Sequence, residues 1–304
     1  MKKLVIAAGT GFLGNVLVKY FKEKVEEIVI LTRGKTKTQG NIKYVNWDAK
    51  TFNGWEAELE NADVLINLTG KSVNCRYNER NKNEIMASRI NSTAILDKAV
   101  LQCQNPPKHW LNSSTATIYK GSYHRQMTEQ AGEKGFDFSM KVARAWEKVF
   151  FKTETPHTLK TALRTSIVLG KSGGAYPMLR KLAKIGMGGK QGNGRQFVSW
   201  IHEEDFARAV EFIINRQLEG VINVVSRTPV RNKNFMAAIA KCLKTPFAIP
   251  INKLFLELGA KIIGTETELI LKSRNVIPER LNQAGFSFKY KTVEEALYSL
   301  ESAH

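Results

Sequence analysis

Short apolar runs alternate with amphipathic stretches through the first 170 residues of the chain. The amphipathic stretches carry apolar residues at helical spacing, which predicts helices at residues 16–21, 83–103 and 138–151. The apolar runs predict buried strands at residues 4–7, 28–32, 42–45, 64–68, 110–112 and 160–165. Strands that alternate with helices predict an α/β fold with a parallel sheet covered on both faces, and right-handed crossovers make it doubly wound.

The first strand runs directly into a glycine-rich segment that precedes a helix. Its residues are Ala8, Gly9, Thr10, Gly11, Phe12, Leu13 and Gly14. Glycines let a backbone turn tightly and approach phosphates, and the following helix offers free N–H groups and the positive end of its dipole. We therefore predict that the segment from Gly9 to Gly14 binds the pyrophosphate of a dinucleotide. The spacing is the looser variant, with alanine where a first glycine is expected, and a glycine-rich turn without a ligand is the alternative.

The end of the second strand indicates which dinucleotide is bound. An acidic residue there would bond the ribose 2′-hydroxyl of NAD and repel a 2′-phosphate. The chain has Thr32 and Arg33 instead, followed by Lys35 and Lys37. Because a guanidinium can bind a phosphate through two hydrogen bonds, we expect NADP(H) rather than NAD(H). The alternative is that Arg33 is an exposed turn residue. Asp48 is either a partner for the adenine amine or a surface-loop residue.

The second half of the chain is less regular. Glycines between residues 170 and 194 mark loops, and helices are predicted at residues 203–215, 232–243, 252–263, 278–284 and 293–300. We expect a Rossmann-type nucleotide-binding domain at residues 1–170, to which later segments at about 196–225 contribute. A smaller C-terminal α/β lobe on the substrate side would then span residues 171–304, including a helical domain at about 250–300.

Composition limits the functional class. The 304 residues carry a formal net charge of +18, but lysine and arginine are spread along the whole chain. No basic helix or nucleic-acid motif is present, so nucleic acid is an unlikely partner and a small-molecule substrate is expected. No apolar run approaches a membrane span, and three widely spaced cysteines indicate a reducing compartment, so we expect a cytoplasmic protein without a metal site.

With these segments in place, the chain resembles the extended short-chain dehydrogenase/reductases, which belong to the NAD-dependent epimerase/dehydratase superfamily. It is most similar to the atypical subgroup with a C-terminal domain of unknown function. The resemblance covers nearly the whole chain, and its motifs lie at residues 9–14, 31–33, 66–70, 88–90, 164–170, 194–202, 229–233 and 278–286. It implies an NADP-binding Rossmann domain with a smaller lobe that closes over a substrate cleft. It also implies dimers that pair through two long helices, so we expect a homodimer.

The resemblance also implies site residues. Leu68, Thr69 and Gly70 end the fourth predicted strand and would contact the cofactor, as would Arg89. Arg76 and Arg195 would bind an anionic substrate. Each of the three arginines is alternatively a surface residue or part of a structural ion pair. His202 lies in the segment that ties the lobe to the core, where a structural role is expected.

The superfamily's reaction uses a Ser/Thr hydroxyl, a tyrosine and a lysine, with the last two residues four apart on one helix face. By register, Thr115 takes the hydroxyl role, whereas the tyrosine position falls on Ser139 and the lysine position on Ala143. A serine hydroxyl has a far higher pKa than a phenol, so Ser139 would be a weak proton donor. Tyr119 and Tyr123 are candidate replacement acids, and structural packing is the alternative for Tyr119.

Two functions follow from this mixed pattern. The first is an NADP(H)-dependent epimerase- or reductase-like enzyme of unknown substrate that works without the Tyr-x-x-x-Lys pair, with Thr115, Tyr119 and Ser139 as candidate catalytic residues. The second is a nucleotide-binding regulator or scaffold that keeps the cofactor but has lost the chemistry, since relatives of the subgroup are linked to organelle or cell division.

Overall fold

The computed structural model describes residues 1–252, 254–257 and 271–302. Within these residues the main sheet has eight strands in the order β11-β7-β6-β5-β1-β2-β4-β3, all parallel except β3, which pairs antiparallel with β4 at the edge. The strands are β1 (Lys3–Ala7), β2 (Glu27–Thr32), β3 (Lys37–Gln39), β4 (Ile42–Asn46), β5 (Val64–Asn67), β6 (His109–Thr115), β7 (Leu159–Thr165) and β11 (Gly220–Val224). The predicted α/β fold with a doubly wound parallel sheet is confirmed.

Helices cover both faces of this sheet. α1 (Phe12–Phe21) and α5 (Glu203–Asn215) pack on one face, and α2 (Glu79–Gln102) and α3 (Phe138–Phe150) pack on the other. The remaining helices are α4 (Tyr176–Lys184), α6 (Asn232–Cys242) and α8 (Val293–Ser302), which pack together, and α7 (Glu279–Gln283), whose Leu281 joins the cluster of α1 and α5. Among the described residues, no helix is both long and apolar enough to cross a bilayer.

Alternation along β1 divides the core between the two faces of the sheet. Leu4 and Ile6 belong to one buried cluster, in which residues of α1 and α5 also pack. Val5 and Ala7 belong to another, which includes residues of α2 and α3. Successive side chains of a strand point to opposite faces, so a strand that is apolar at every position needs helices on both sides.

The second half of the chain builds a lobe beside the carboxyl ends of the strands. In the described residues it contains the parallel pair β8 (Ile167–Leu169) and β10 (Trp200–His202), and the antiparallel pair β9 (Phe197–Val198) and β12 (Val230–Arg231). Its buried cluster joins these strands to α4, α6 and α8. The main sheet takes its last strand, β11, from residues that lie between parts of this lobe.

Two elements of the second half differ from the sequence-based expectation. The region between residues 170 and 194 was expected to be loop, but it contains α4. Only Tyr176 and Ala183 of this helix are buried, and lysines and an arginine occupy its outer face, so its apolar pattern is short and is flanked by glycines. β11 was not predicted as a strand, because Gly220 opens it and its apolar run is brief. The predicted helix at 252–263 lies mostly outside the described residues.

The point where the sheet changes direction lies between β1 and β5. β1 pairs with β2 on one side and with β5 on the other, so the crossovers that follow β1 and β4 leave toward opposite edges. A crevice forms outside the carboxyl ends of such a strand pair, and doubly wound proteins bind their ligands there. The glycine-rich turn after β1 and the segment after β5 both lie at this point.

Candidate functional site

The turn between β1 and α1 is shaped by backbone packing. Ala8 adopts a left-handed conformation, with φ of 58°, and its N–H donates to the carbonyl of Leu31 over 2.9 Å. A Cβ added at Gly14 would lie 2.2 Å from the carbonyl oxygen of Gly9. Only glycine at position 14 therefore lets the first turn of α1 pack directly on the loop. Alanine replaces glycine at position 8 even though its left-handed backbone is one that glycine adopts more easily.

The first turn of α1 is open to an anion. Its N-cap residue is Gly11, no side chain caps the helix, and the first turn contains no acidic residue. Thr10 and Gly11 are exposed, and a Cβ at Gly11 would meet no atom within 4 Å. The first N–H groups of a helix lack partners within the helix and carry its positive dipole end, so this turn fits a pyrophosphate.

Phe12, in this first turn, contacts the C-terminal lobe. A Cβ added at Gly170 or at Gly173 would lie 2.4 Å from an atom of the Phe12 ring, and Gly174 lies next to the same ring. The ring thus occupies a slot formed by glycines of the loop that follows β8. Any contact of Phe12 with a cofactor would therefore come from its backbone, while its ring joins the loop to the lobe.

The end of β2 presents positive charge. Arg33 and Lys35 are exposed, and the turn that carries them is fixed by Asn46, whose amide donates to the carbonyl of Gly34 over 3.0 Å. Asp48 is the first acid after β2 along the chain, but its carboxylate accepts from the backbone N–H groups of Thr51 and Lys50. Hydrogen bonds from these N–H groups lower the pKa of Asp48. Because its carboxylate is bound within its own turn, the geometry favours the alternative that Asp48 is a surface-loop residue.

The end of β5 contains a buried amide pair. The side-chain amide of Asn67 donates to Asn112 over 2.7 Å, and its oxygen accepts from the N–H of Thr69 over 3.0 Å. This fixes Leu68, Thr69 and Gly70 at the crevice. Among the described residues, the buried hydroxyl of Thr69 has no hydrogen-bond partner. A buried polar group without a partner is rare and indicates a place where a ligand or water completes the hydrogen bonding.

Arg89 of α2 packs over Gly70. A Cβ at Gly70 would lie 2.9 Å from the guanidinium carbon, and this guanidinium donates to the carbonyls of Lys71 and Ile85. Burial lowers the pKa of Arg89 to about 10, and no carboxylate of the described residues contributes to that shift. Its guanidinium carbon also lies 5.2 Å from the ring centre of Trp146. The positive charge is thus held by neutral groups beside the crevice, where a cofactor phosphate would balance it.

The predicted reaction residues lie at the end of β6 and the start of α3. The Thr115 hydroxyl lies 2.6 Å from that of Thr117 and accepts from the Thr117 N–H. Ser139 is half-buried in the first turn of α3. Ala143, where the sequence predicts the lysine position, is fully buried in a cluster with Ala116 and Ile118.

Tyr119 belongs to a buried polar network. Its hydroxyl donates to Asn223 over 2.9 Å and accepts from Arg164 over 2.6 Å, and the residue is 1% exposed. Burial raises the pKa of Tyr119, and the charge of Arg164 offsets only part of this. The geometry favours structural packing, and the expectation that Tyr119 reaches the cleft as a replacement acid needs correction, because its hydroxyl is enclosed by buried partners.

Sequence analysis missed the ion pair at the centre of this network. Arg164 of β7 donates two hydrogen bonds to Glu147 of α3, over 2.8 and 2.7 Å, and the Ser114 hydroxyl donates to the same carboxylate over 2.7 Å. The pair therefore joins β6, β7 and α3 behind Thr115. The sequence carried one signal for this pair, namely a charged residue within the apolar pattern of α3, at position 147, and another within that of β7, at position 164.

The remaining site candidates lie in separate parts of the fold. Arg76 is exposed in the loop before α2, and Arg195 is exposed in the loop before β9, where its carbonyl accepts from Arg231. His202 caps α5 by accepting from the N–H of Glu204 over 3.0 Å, and its ring lies 3.8 Å from that of Tyr290. Burial lowers the pKa of His202 to about 4, which fits the expected structural role.

No metal centre is found in the part of the chain that the structure describes, since no three His, Cys, Asp or Glu residues are grouped to hold an ion. The polar groups at the crevice are instead backbone N–H groups, hydroxyls and guanidinium groups. This donor set suits an anionic nucleotide rather than a metal ion.

Comparisons with known proteins find matches along most of the chain. A model of the NAD dependent epimerase/dehydratase family matches residues 4–225, and a model of a domain of unknown function, DUF1731, matches residues 253–300. Epimerase family protein YfhF of Bacillus subtilis is 33% identical over 299 residues, which cover 98% of this chain and 97% of that protein. An epimerase family protein of Staphylococcus epidermidis is 32% identical over 305 residues and is matched over its full length.

Solved structures share the fold of this chain. The crystal structure of human epimerase family protein SDR39U1 (isoform2) with NADPH matches with a TM-score of 0.87 and 25% identity, covering 99% of this chain and 100% of that chain. The UDP-N-acetylglucosamine 4-epimerase from Bacillus cereus matches with a TM-score of 0.75 at 17% identity, which is a likeness of fold alone.

Proposed function

The chain belongs to the NAD-dependent epimerase/dehydratase family, and from that premise we propose that it is an NADP(H)-dependent oxidoreductase acting on a small carbonyl or hydroxyl substrate. The family and the C-terminal domain confirm the resemblance that the sequence motifs carry. The observation that carries the proposal is the uncapped first turn of α1. It lies at the same edge of the sheet as the end of β2, which has no acidic residue and carries the exposed Arg33.

Different residues of the described chain would bind different parts of the cofactor. The N–H groups at Gly11 to Leu13 would bind the pyrophosphate, Arg33 would bind the 2′-phosphate, and the Thr69 hydroxyl would complete its hydrogen bonding on the bound nucleotide. The guanidinium of Arg89 adds charge that no described carboxylate neutralises. The human relative SDR39U1, whose structure contains NADPH, supports the choice of NADP(H) over NAD(H).

The reaction would proceed with a weak positioned acid. NADPH, when bound, would supply the hydride for reduction of a substrate carbonyl, and the carbonyl oxygen would have to gain a proton as its double bond to carbon becomes a single bond. Ser139 and Thr115 are the chain's candidate hydroxyls for orienting that oxygen. Since neither has a lysine at position 143 to lower its pKa, the proton would come from water that these hydroxyls orient, and the rate would be modest.

A screen for turnover tests the proposal. Purified protein is mixed with NADPH and a panel of aldehydes, ketones and keto acids, and the loss of nicotinamide absorbance is followed. We expect slow oxidation of NADPH with at least one substrate class and a drop of about tenfold or more in the Thr115→Val, Ser139→Ala double variant. Thr51→Val, at an exposed turn, is the matched control and should keep the parent rate.

A nucleotide-binding regulator or scaffold is the second candidate function. The burial of Ala143 in the core favours it, because the lysine position has been given over to packing. Tight NADPH binding without turnover of any substrate class would support the regulator and overturn the enzyme.

A further inference from the structure

A cavity of about 490 Å³ opens on the lobe side of α3. One wall is the segment after β6, where Tyr119 pairs with Lys134 in a short antiparallel bridge and the N–H of Lys120 donates to Glu133 over 2.8 Å. The other wall is the segment 271–273, which Ser273 ties to the first by donating to the carbonyl of Ser122 over 2.6 Å. Hydrogen bonds thus hold both walls, and the volume is in the range of small-ligand sites.

The lining combines an apolar surface with cations. Tyr123, Phe136, Met140 and Leu271 supply the apolar part, and Phe136 is 70% exposed. Binding of a ligand against this exposed ring would remove apolar surface from water. The ring therefore favours a ligand with an apolar body.

Three lysines from three segments line the same cavity, and two of them lack a close carboxylate of their own. Lys120 lies 3.8 Å from Glu133, but that carboxylate is already bound by Arg125 at 2.7 Å. Lys134 lies 3.9 Å from a carboxylate that Arg164 binds at 2.7 Å.

The third lysine, Lys272, is paired with Asp137. The lining itself therefore carries three lysines and two carboxylates, Glu133 and Asp137. The excess of positive charge favours an anion.

We propose that this cavity binds the substrate, and that the substrate is an amphipathic organic anion, with a carboxylate or phosphate at the lysines and an apolar body against Phe136 and Tyr123. The inference rests on the proposed function, because Ser139 lies on α3 between the lining residues Asp137 and Met140. A carbonyl group on the same molecule would then be held next to the hydroxyls at the start of α3.

Binding of a fluorescent probe tests the inference. Anilinonaphthalene sulfonate is an amphipathic anion, and phenylnaphthylamine has the same rings without the charge. Both are titrated into the full chain with and without saturating NADPH. We expect the anion to bind in both conditions, more tightly than the neutral probe, and to weaken as salt rises.

Signed variants separate a binding site from general damage. Lys272→Ala should weaken binding of the anion about threefold to fivefold, whereas Asp137→Asn, which removes one negative charge from the lining, should strengthen it by a similar factor. Phe136→Ala should weaken both probes. Lys152→Ala and Phe247→Ala are matched controls at exposed positions outside the cavity and should change neither affinity.

The outcomes are distinguishable from those of the proposed function. If Asp137→Asn leaves the affinity for the anion unchanged or lowers it, or if the control variants change affinity as much as the cavity variants, the inference is overturned, even when NADPH binds tightly. If NADPH does not bind but the signed pattern holds in the cofactor-free protein, the cavity stands as an anion site and the proposed reaction fails.

Discussion

At the turn between β1 and α1 the groups that would bind a ligand are backbone N–H groups, whereas at the junction of β6 and α3 they are side chains. The turn after β1 depends on Gly14, where a Cβ would lie 2.2 Å from the Gly9 carbonyl oxygen. At the junction the candidate residues are Thr115, Ser139 and Ala143, and α3 forms a regular helix with serine and alanine at the last two positions. A site built from backbone is protected by sterics, while a site built from side chains is free to change within the same fold.

The junction of β6 and α3 contains a packed cluster and a buried ion pair that joins the helix to the sheet. Ala143 is buried with Ile118, and Glu147 binds Arg164 between α3 and β7. The comparison therefore predicts that substitutions at the junction affect stability, whereas substitutions at the turn affect binding.

The largest effect is expected from Glu147→Gln. Loss of this carboxylate leaves the guanidinium of Arg164, which is 1% exposed, without its counter-charge, and breaking such a buried pair costs about 3–5 kcal/mol. Urea denaturation should show this decrease in the free energy of unfolding. Glu23→Gln, at an exposed ion pair, is the control and should cost less than about 1 kcal/mol. Equal small losses of unfolding free energy in both variants would contradict a structural role for the network.

A large effect on binding is expected from Gly14→Ala. The added methyl group forces α1 away from the loop, so NADPH affinity should fall by about 100-fold or more, a loss of about 2.7 kcal/mol in binding free energy. Isothermal titration measures the affinity, and thermal unfolding measures the accompanying loss of stability. Gly11→Ala is the control for stability, because its Cβ meets no atom within 4 Å. Unchanged NADPH binding in Gly14→Ala would contradict the claim that the backbone of the turn between β1 and α1 forms the pyrophosphate site.

A smaller effect concerns pH. Burial lowers the pKa of His202 to about 4, so the unfolded chain binds a proton at this residue between about pH 6.5 and 4 while the folded chain does not. Stability should therefore fall as pH falls through this window, by about 2 kcal/mol between pH 7 and 5 from this residue alone. His202→Asn keeps an N-cap acceptor for α5 and removes the titration. Its unfolding free energy should depend less on pH, and an unchanged slope would show that other groups carry the dependence.

Periodicity predicted the parts of the fold where one pattern dominates. β1, β2 and the long helix α2 follow from uninterrupted apolar runs and from helical spacing, and the glycine turn was visible because its residue types serve backbone geometry. α4 was missed because glycines flank a short amphipathic stretch. Partners distant in sequence, such as Glu147 and Arg164 or Tyr119 and Asn223, meet only through the sheet order. The enclosure of Tyr119 therefore could not be read from its neighbours along the chain.

We infer that the turn between β1 and α1 binds a dinucleotide and that the site prefers NADP(H), and titration of NADPH and NADH into the parent protein and Arg33→Ala measures this preference. Arg33 is exposed at the end of β2, and this end of the strand carries no acidic residue. We expect NADPH to bind at least about tenfold more tightly than NADH, and Arg33→Ala to remove most of that difference by weakening NADPH alone, a change of about 1.4 kcal/mol. Lys152→Ala should leave both affinities unchanged. Equal affinity of the parent protein for the two cofactors, or a variant that keeps the NADPH preference, would contradict the claim.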